Sequence, residues 1–313
     1  MSHHVESMAY TNEVPWHGLG ARVDQAPTVK EMIRLAKLDW RVDRVPMQVN
    51  GVDVPGFAAL QRSSDKKILD VVGAHYKPVQ NVDAFKFFVE FVEAGGATME
   101  TAGSLRGGKL VWGLADLKAS FKMKNKDDVV KGYLLIASPH EQGRSFTIRF
   151  TTVRVVCNNT LTLALTDYSR KFSMNHRSTF DDTMIAKAKD TLGIARDQLG
   201  EFEHNAKVLQ KLNLKERDII RILQPVYQPD VALKDLLADF DEHANSKMKA
   251  VLGALSKAPG AEPGNGWGVL NAVTYYSDHI ASRTADKRLT NAWLGRTAGH
   301  KEAVLTKLLE MAS

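Results

Sequence analysis

The sequence predicts an α+β protein, with an N-terminal antiparallel-sheet domain carrying packed helices and an all-helical C-terminal half. Three observations lead there. Up to about residue 180, short β-type runs alternate with Gly-rich turns. Beyond it the strand patterns stop and apolar residues recur at helical spacing. The 313 residues, 44% hydrophobic and 25% charged, have the make-up of a globular protein large enough for two units. Segment 1–56 is expected to pack on the sheet domain, 57–180 to be a basic α+β domain and 181–313 a helical region.

In chain order, "WRVDRVPMQV" (40–49) reads as an edge strand, because Pro46 removes a ladder donor. "FAALQRSSDKKILDVVG" (57–73) reads as a hairpin around Ser63, Ser64 and Asp65. "NVDAFKFFVEFVEAGG" supplies a helix with Asn81 as its cap, Phe85, Phe88, Val89 and Val92 on one face, and Gly95-Gly96 as its stop. Residues 97–117 read as a second hairpin turning at Gly107-Gly108, and "GYLLIAS" and "SFTIRF" as two more strands.

"TTVRVVCNNTLTLALT" (151–166) admits two readings. Its β-branched residues favour a strand, but Val153, Val156, Cys157, Leu161, Ala164 and Leu165 form an apolar stripe at a period of 3.6. The stripe predicts a helix from about Thr152 to Leu165. Cys157 then packs in the core, and Arg154, Asn158 and Thr162 form a structural polar line four residues apart. Farther on, 181–212 reads as one long helix bent near Gly193 or Gly200. "KERDIIRIL" reads as a helix ending before Pro225, and 231–257 as another. "APGAEPGNGWG" is a connector before two last helices.

Composition excludes several classes of function. One cysteine rules out an internal disulfide framework and a thiolate metal cluster. No apolar run approaches a membrane span, and no signal-peptide core opens the chain, so a cytoplasmic protein in a bacterial host is the expectation. The histidines are scattered without metal-ligand spacing. "GLG" (18–20) and "GG" (107–108) lack the context of a phosphate loop. "PWHGLG" reads as an anchored N-terminal turn, although Trp16 and His17 would also make a stacking or catalytic pair. No triad or carboxylate pair is evident, so no catalytic residue, metal ligand or cofactor is expected, and an enzyme is the less favoured class.

Charge is unevenly divided. Residues 57–180 carry 18 basic and 11 acidic side chains, a net of +7 against +6 for the whole chain. A local cationic field of this kind suits a polyanion. Lys118, Lys122, Lys124, Lys126 and Lys131 gather in and around one expected loop. Arg144, Arg149, Arg170, Lys171 and Arg177 follow on or near the last strand and the segment after the expected helix. "SRKFSMNHRS" interleaves its cations with Phe172 and His176, which suits phosphate contact with base stacking. The same pattern also suits an edge strand decorated against aggregation.

"VPWHGLGARV", "YKPVQN", "VRVVCNNTL" and "WGVLNAVTYYSDH" occur in this order. As a set they resemble the phage- and plasmid-related proteins of domain-of-unknown-function family 932, over most of the chain. The resemblance implies biology of mobile elements and names no reaction. An antiparallel sheet with a packed helix and a basic groove is also similar in architecture to phage single-strand annealing proteins. The expected function is therefore binding of single-stranded DNA in phage or plasmid DNA metabolism, with annealing by a homo-oligomer as one form of it. The alternative is a counter-defence or host-takeover protein that binds another protein through the helical half.

Overall fold

The computed structural model describes residues 5–11, 20–23, 27–93, 96–123, 129–154, 159–161, 171–192, 195–258, 264–283 and 296–313. The chain divides into two compact units, each assembled from separate stretches. A sheet unit comprises 1–118, 133–150 and 169–194, and a helical unit comprises 119–132, 151–168 and 195–313.

The sheet unit begins with β1 (Val5–Tyr10), β2 (Ala21–Arg22) and α1 (Val29–Leu35). Thr28 and Glu31 form a capping box at the start of α1: the Thr28 hydroxyl accepts the Glu31 N–H, and the Glu31 carboxylate accepts the Thr28 N–H. Then β3 (Val42–Val49), β4 (Val52–Arg62) and β5 (Ile68–Gly73) pair antiparallel in that order. The expected edge strand and hairpin are both present. Asn50 and Gly51, at φ 52° and 79°, supply the tight turn between β3 and β4.

Helix α2 (Asn81–Glu93) buries Phe85, Phe87 and Phe88. The main sheet follows with β6 (Thr98–Leu105), β7 (Leu110–Lys122), β8 (Val129–Pro139), β9 (Phe146–Arg154), β10 (Asn159–Leu161) and β11 (Lys171–Met174). Its order is β10-β9-β8-β7-β6-β1-β2, with β11 also paired to β9. Gly113 on β7 makes room for α2: a Cβ there would lie 2.8 Å from the Phe85 ring and 3.1 Å from that of Phe88. Arg62 is buried, gives both ends of its guanidinium to Glu6 at 2.6 and 2.8 Å, binds Asp65, and lies 5.4 Å from the centre of the Trp40 ring. It thereby ties β1 to β4. Helix α3 (Asp182–Leu192) ends the unit's described residues.

The helix expected from Thr152 to Leu165 is not formed. Thr151 to Arg154 continue β9, and Asn159, Thr160 and Leu161 pair back onto Arg154, Val153 and Thr152. Thr151 and Thr152 are both buried, so this part of the strand is covered on both faces. A strand covered on both faces needs no alternation of apolar and polar residues, and the β-branched run then favours extended backbone. Of the expected polar line, Arg154 lies on β9, and Asn158 and Thr162 lie outside the described residues. Cys157, Trp16 and His17 lie outside them too.

The helical unit contains α4 (Ala195–Lys211), α5 (Glu216–Tyr227), α6 (Leu233–Ala238), α7 (Phe240–His243), α8 (Ser246–Lys257), α9 (Gly266–Tyr275), a π-helical turn (Tyr276–Ile280) and α10 (Arg296–Ala312). Helix α5 runs through Pro225 to Tyr227, because the proline falls in the last turn and the Gln228 N–H still reaches the Gln224 carbonyl at 2.9 Å. The single helix expected over 231–257 is three. The side chains of Asp239 and Asn245 accept first-turn N–H groups and so start α7 and α8. Phe121, Phe202 and Trp267 pack edge to face, with ring centres 5.9 and 6.1 Å apart. Lys301 and Asp278 form a buried ion pair at 2.5 Å. Among the described residues, no helix is long and apolar enough to cross a membrane.

Candidate functional site

A cleft of about 350 Å³ opens in the sheet unit where three connections meet. Residues 73–76 follow β5, residues 142–145 join β8 to β9, and residues 175–177 follow β11. The register brings the last two together: Met174 pairs with Phe146, so the chain leaving β11 emerges beside the chain entering β9. Gly143, at φ 79°, makes the turn in "EQGRS", and the Gln142 N–H is held by the Asp70 carboxylate at 2.7 Å.

Residues 77 and 176 clamp each other. The Lys77 N–H donates to the His176 carbonyl at 2.5 Å, and His176 Nδ1–H donates to the Lys77 carbonyl at 3.1 Å. The His176 ring stacks on Tyr76 with centres 4.4 Å apart and planes 12° from parallel. The Tyr76 hydroxyl donates to the Pro139 carbonyl at 3.2 Å. Burial raises the Tyr76 hydroxyl's pKa above its ordinary value, and the carboxylates of Asp70 and Glu141 add to the rise.

His140 is wholly buried, edge-on to Trp40 with ring centres 5.4 Å apart. Asn81 gives its amide N–H groups to the Leu38 and Trp40 carbonyls, so its oxygen faces His140 Nε2 at 2.9 Å and that nitrogen carries the proton. Asn81 is thus the first residue of α2 and spends its side chain on the core, not on capping the helix. Burial, helped by the nearby His176, pushes the His140 pKa down to about 3. Burial also lowers that of His176, against the pull of the Lys77 carbonyl. Both rings are neutral at pH 7.

With Nδ1–H committed to a carbonyl, His176 presents Nε2 as a bare acceptor. That atom is buried and has no hydrogen-bond partner among the described residues. An unmet buried group of this kind costs about 1–3 kcal/mol. The rim is cationic. Arg144 is exposed and rests Nε on Glu141 at 2.6 Å, and Arg106 binds the same carboxylate. Arg177 is exposed, no side chain among the described residues pairs with its guanidinium, and its backbone N–H is received by Asn175 Oδ1 at 3.1 Å. His75 is exposed on the same cleft. The site therefore offers guanidinium donors at its rim, and one of its lining residues, His176, carries an unmet, buried imidazole acceptor.

Of the basic and aromatic residues singled out from sequence, Arg144, His176 and Arg177 are the described ones that line this cleft. Two expectations are corrected. Phe172 is 8% exposed and packs edge-on to Phe146, so it belongs to the core and offers no face to a base. His176 is 5% exposed and already stacked on Tyr76, so it is not a surface stacking residue either. Alternation along β11 turns Phe172 and Met174 inward.

Lys118 and Lys122 lie on β7, Lys131 on β8 and Arg149, half-buried, on β9. Lys171 is placed by its backbone pairing with Arg149. Lys124, Lys126 and Arg170 lie outside the described residues. Sequence reading missed the grouping of Tyr76, Asn81 and His140 with His176. The only signal was that "YKPVQN" and the histidines at 75, 140 and 176 were on the page, with nothing local to join them. Among the described residues, no group of three or more His, Cys, Asp or Glu side chains is placed to hold a metal ion.

Fold and site together define a two-unit α+β protein with a small, cation-rimmed cleft in its sheet unit. Residues 68–293, which include every residue lining that cleft, match the family model described as Domain of unknown function (DUF932), and the chain belongs to that family. No curated protein and no solved structure matches it.

Proposed function

We propose that the protein binds single-stranded nucleic acid and holds a backbone phosphate in the cleft of the sheet unit. The observation that carries this reading is the pair of exposed arginines, Arg144 and Arg177, on one cleft beside His75. Guanidinium groups match phosphate oxygens in geometry and charge. The net +7 of residues 57–180 supplies a longer-range attraction. A cleft of about 350 Å³ admits roughly one nucleotide and no duplex, which favours single strands.

Binding of a labelled single strand, followed by fluorescence anisotropy across a salt series, tests the reading. Wild type should bind with a steep dependence on salt. Replacing Arg144 and Arg177 together with Ala removes up to two phosphate contacts and should shallow the log K against log salt slope by about 1.4. A double variant with unchanged affinity and slope would remove the cleft from the interface.

A second reading, a protein partner, has one observation behind it. Phe57, Ile68 and Val71 on β4 and β5 are 55%, 49% and 42% exposed. In the helical unit, among the described residues, only Ile280 and Met311 of the large apolar side chains are comparably exposed. If the protein acts through a partner, Phe57→Ser should abolish its effect while leaving nucleic-acid affinity at zero in both proteins.

A further inference from the structure

The unmet acceptor on His176, a residue that lines the cleft, narrows the kind of strand. We propose that His176 Nε2 accepts a hydrogen bond from a sugar 2′-hydroxyl, so that the strand bound in the cleft is RNA, with Arg144 and Arg177 on the adjoining phosphate. This deepens the nucleic-acid reading above and rests on it.

The argument is one of donors and acceptors. The Lys77 backbone carbonyl only accepts, so it fixes the proton on His176 Nδ1 at 3.1 Å. The stack on Tyr76, whose own hydroxyl is anchored to Pro139, holds the ring in that orientation. Nε2 is left as a lone-pair acceptor with no partner among the described residues. A phosphate diester offers only acceptors, so it pairs with the arginines and is repelled by this nitrogen. Within a sugar-phosphate backbone the donor is a hydroxyl. Internal DNA has none, and RNA has one at every 2′ position, two bonds from the carbon that bears the 3′ phosphate oxygen.

The placement fits a ligand of that shape. His176 and Arg177 are neighbours in sequence and both line the cleft, one buried and one exposed. Nε2 is covered in this conformation. Entry of a hydroxyl therefore requires the wall to yield, and the residues on either side of His176, Asn175 and Arg177, are the exposed ones.

The test uses the full-length protein and four strands of one sequence at one salt concentration: RNA, DNA, 2′-O-methyl RNA and 2′-fluoro RNA. RNA should bind about tenfold more tightly than DNA, the effect of one hydrogen bond to an otherwise unmet buried acceptor. The 2′-O-methyl and 2′-fluoro strands keep an RNA-like sugar but lack the donor, and they should fall to the DNA level. His176→Phe, which retains the stack on Tyr76, should bind RNA no better than DNA.

Equal affinity of wild type for RNA and DNA overturns the 2′-hydroxyl assignment and leaves the proposed function standing. So does an RNA preference that survives 2′-O-methylation, or a preference that follows base identity or the terminal 3′-hydroxyl of DNA. Absence of binding to every strand overturns the proposed function itself. The comparison of strands decides the matter on wild-type protein even if His176→Phe does not fold.

Discussion

Asn81 and His140 share a 2.9 Å hydrogen bond in the interior of the sheet unit, and each fixes the other's orientation. The asparagine also holds the carbonyls of Leu38 and Trp40, so one side chain joins α2, the segment before β3 and the end of β8. Asn81→Ala leaves those groups and His140 Nε2–H unmet. The expected loss is about 2–4 kcal/mol of unfolding free energy, read from chemical denaturation. A loss near that of an ordinary surface substitution, about 0.5 kcal/mol, would contradict the role assigned to it.

The two buried histidines make stability depend on pH below neutrality. An unfolded histidine takes up its proton near 6.5, whereas His140 in the folded protein resists until about 3. Between those values the unfolded chain binds more protons, so stability rises with pH. The contribution is complete above 6.5 and is lost progressively as pH falls through that window. His176, also lowered, acts in the same direction. For His140 the slope approaches about 1.4 kcal/mol per pH unit. Denaturation midpoints at pH 8, 7, 6 and 5 should decline from about pH 6, ahead of any carboxylate, and His140→Gln should flatten the decline.

Gly113 is where α2 meets the sheet most closely. A Cβ there would stand 2.8 Å from the Phe85 ring, which is itself buried and held edge-on to Phe88 at 5.9 Å. Gly113→Ala should therefore cost about 1–3 kcal/mol through overpacking. Pairing it with Phe85→Leu should restore part of the loss, as a thermal melt of the double variant will show.

In the helical unit, Lys301 is buried and its pKa lies below its ordinary value through desolvation, opposed by Asp278. Lys301→Met leaves the Asp278 carboxylate buried without its ammonium and should cost about 3–5 kcal/mol. Lys301→Met combined with Asp278→Leu should recover most of it. A double variant no better than the single one would show that the pair's other contacts, not the charge match, dominate.

Local pattern carried much of the sheet unit. Pro46 marked an edge strand, Gly107-Gly108 a turn, and the phenylalanines of α2 a buried helical face. The run 151–165 misled because both faces of β9 are covered there, so alternation disappears and helical spacing arises by chance. Asn50-Gly51, Asp239 and Asn245 were legible as turn and cap residues but lay inside longer patterns that masked them. The cleft was not legible in this way. His140 and His176 are separated by strands and matter together only because β8, β9 and β11 bring their loops to one place. Phe172 was read as a stacking residue because its basic neighbours drew attention to the segment, whereas strand alternation decides where its ring points.

Strand β9 belongs to the sheet unit up to Phe150 and to the helical unit from Thr151, and the chain passes between the units five times before residue 196. During synthesis, a nascent chain that has emerged only to residue 150 still lacks β11 and α3, so neither unit is complete. The sheet unit becomes able to close only after residue 194 has left the ribosome, by which time two stretches of the other unit already await their helices. No single crossover in the coding sequence can exchange one unit intact for that of another protein. The two are inherited as one piece.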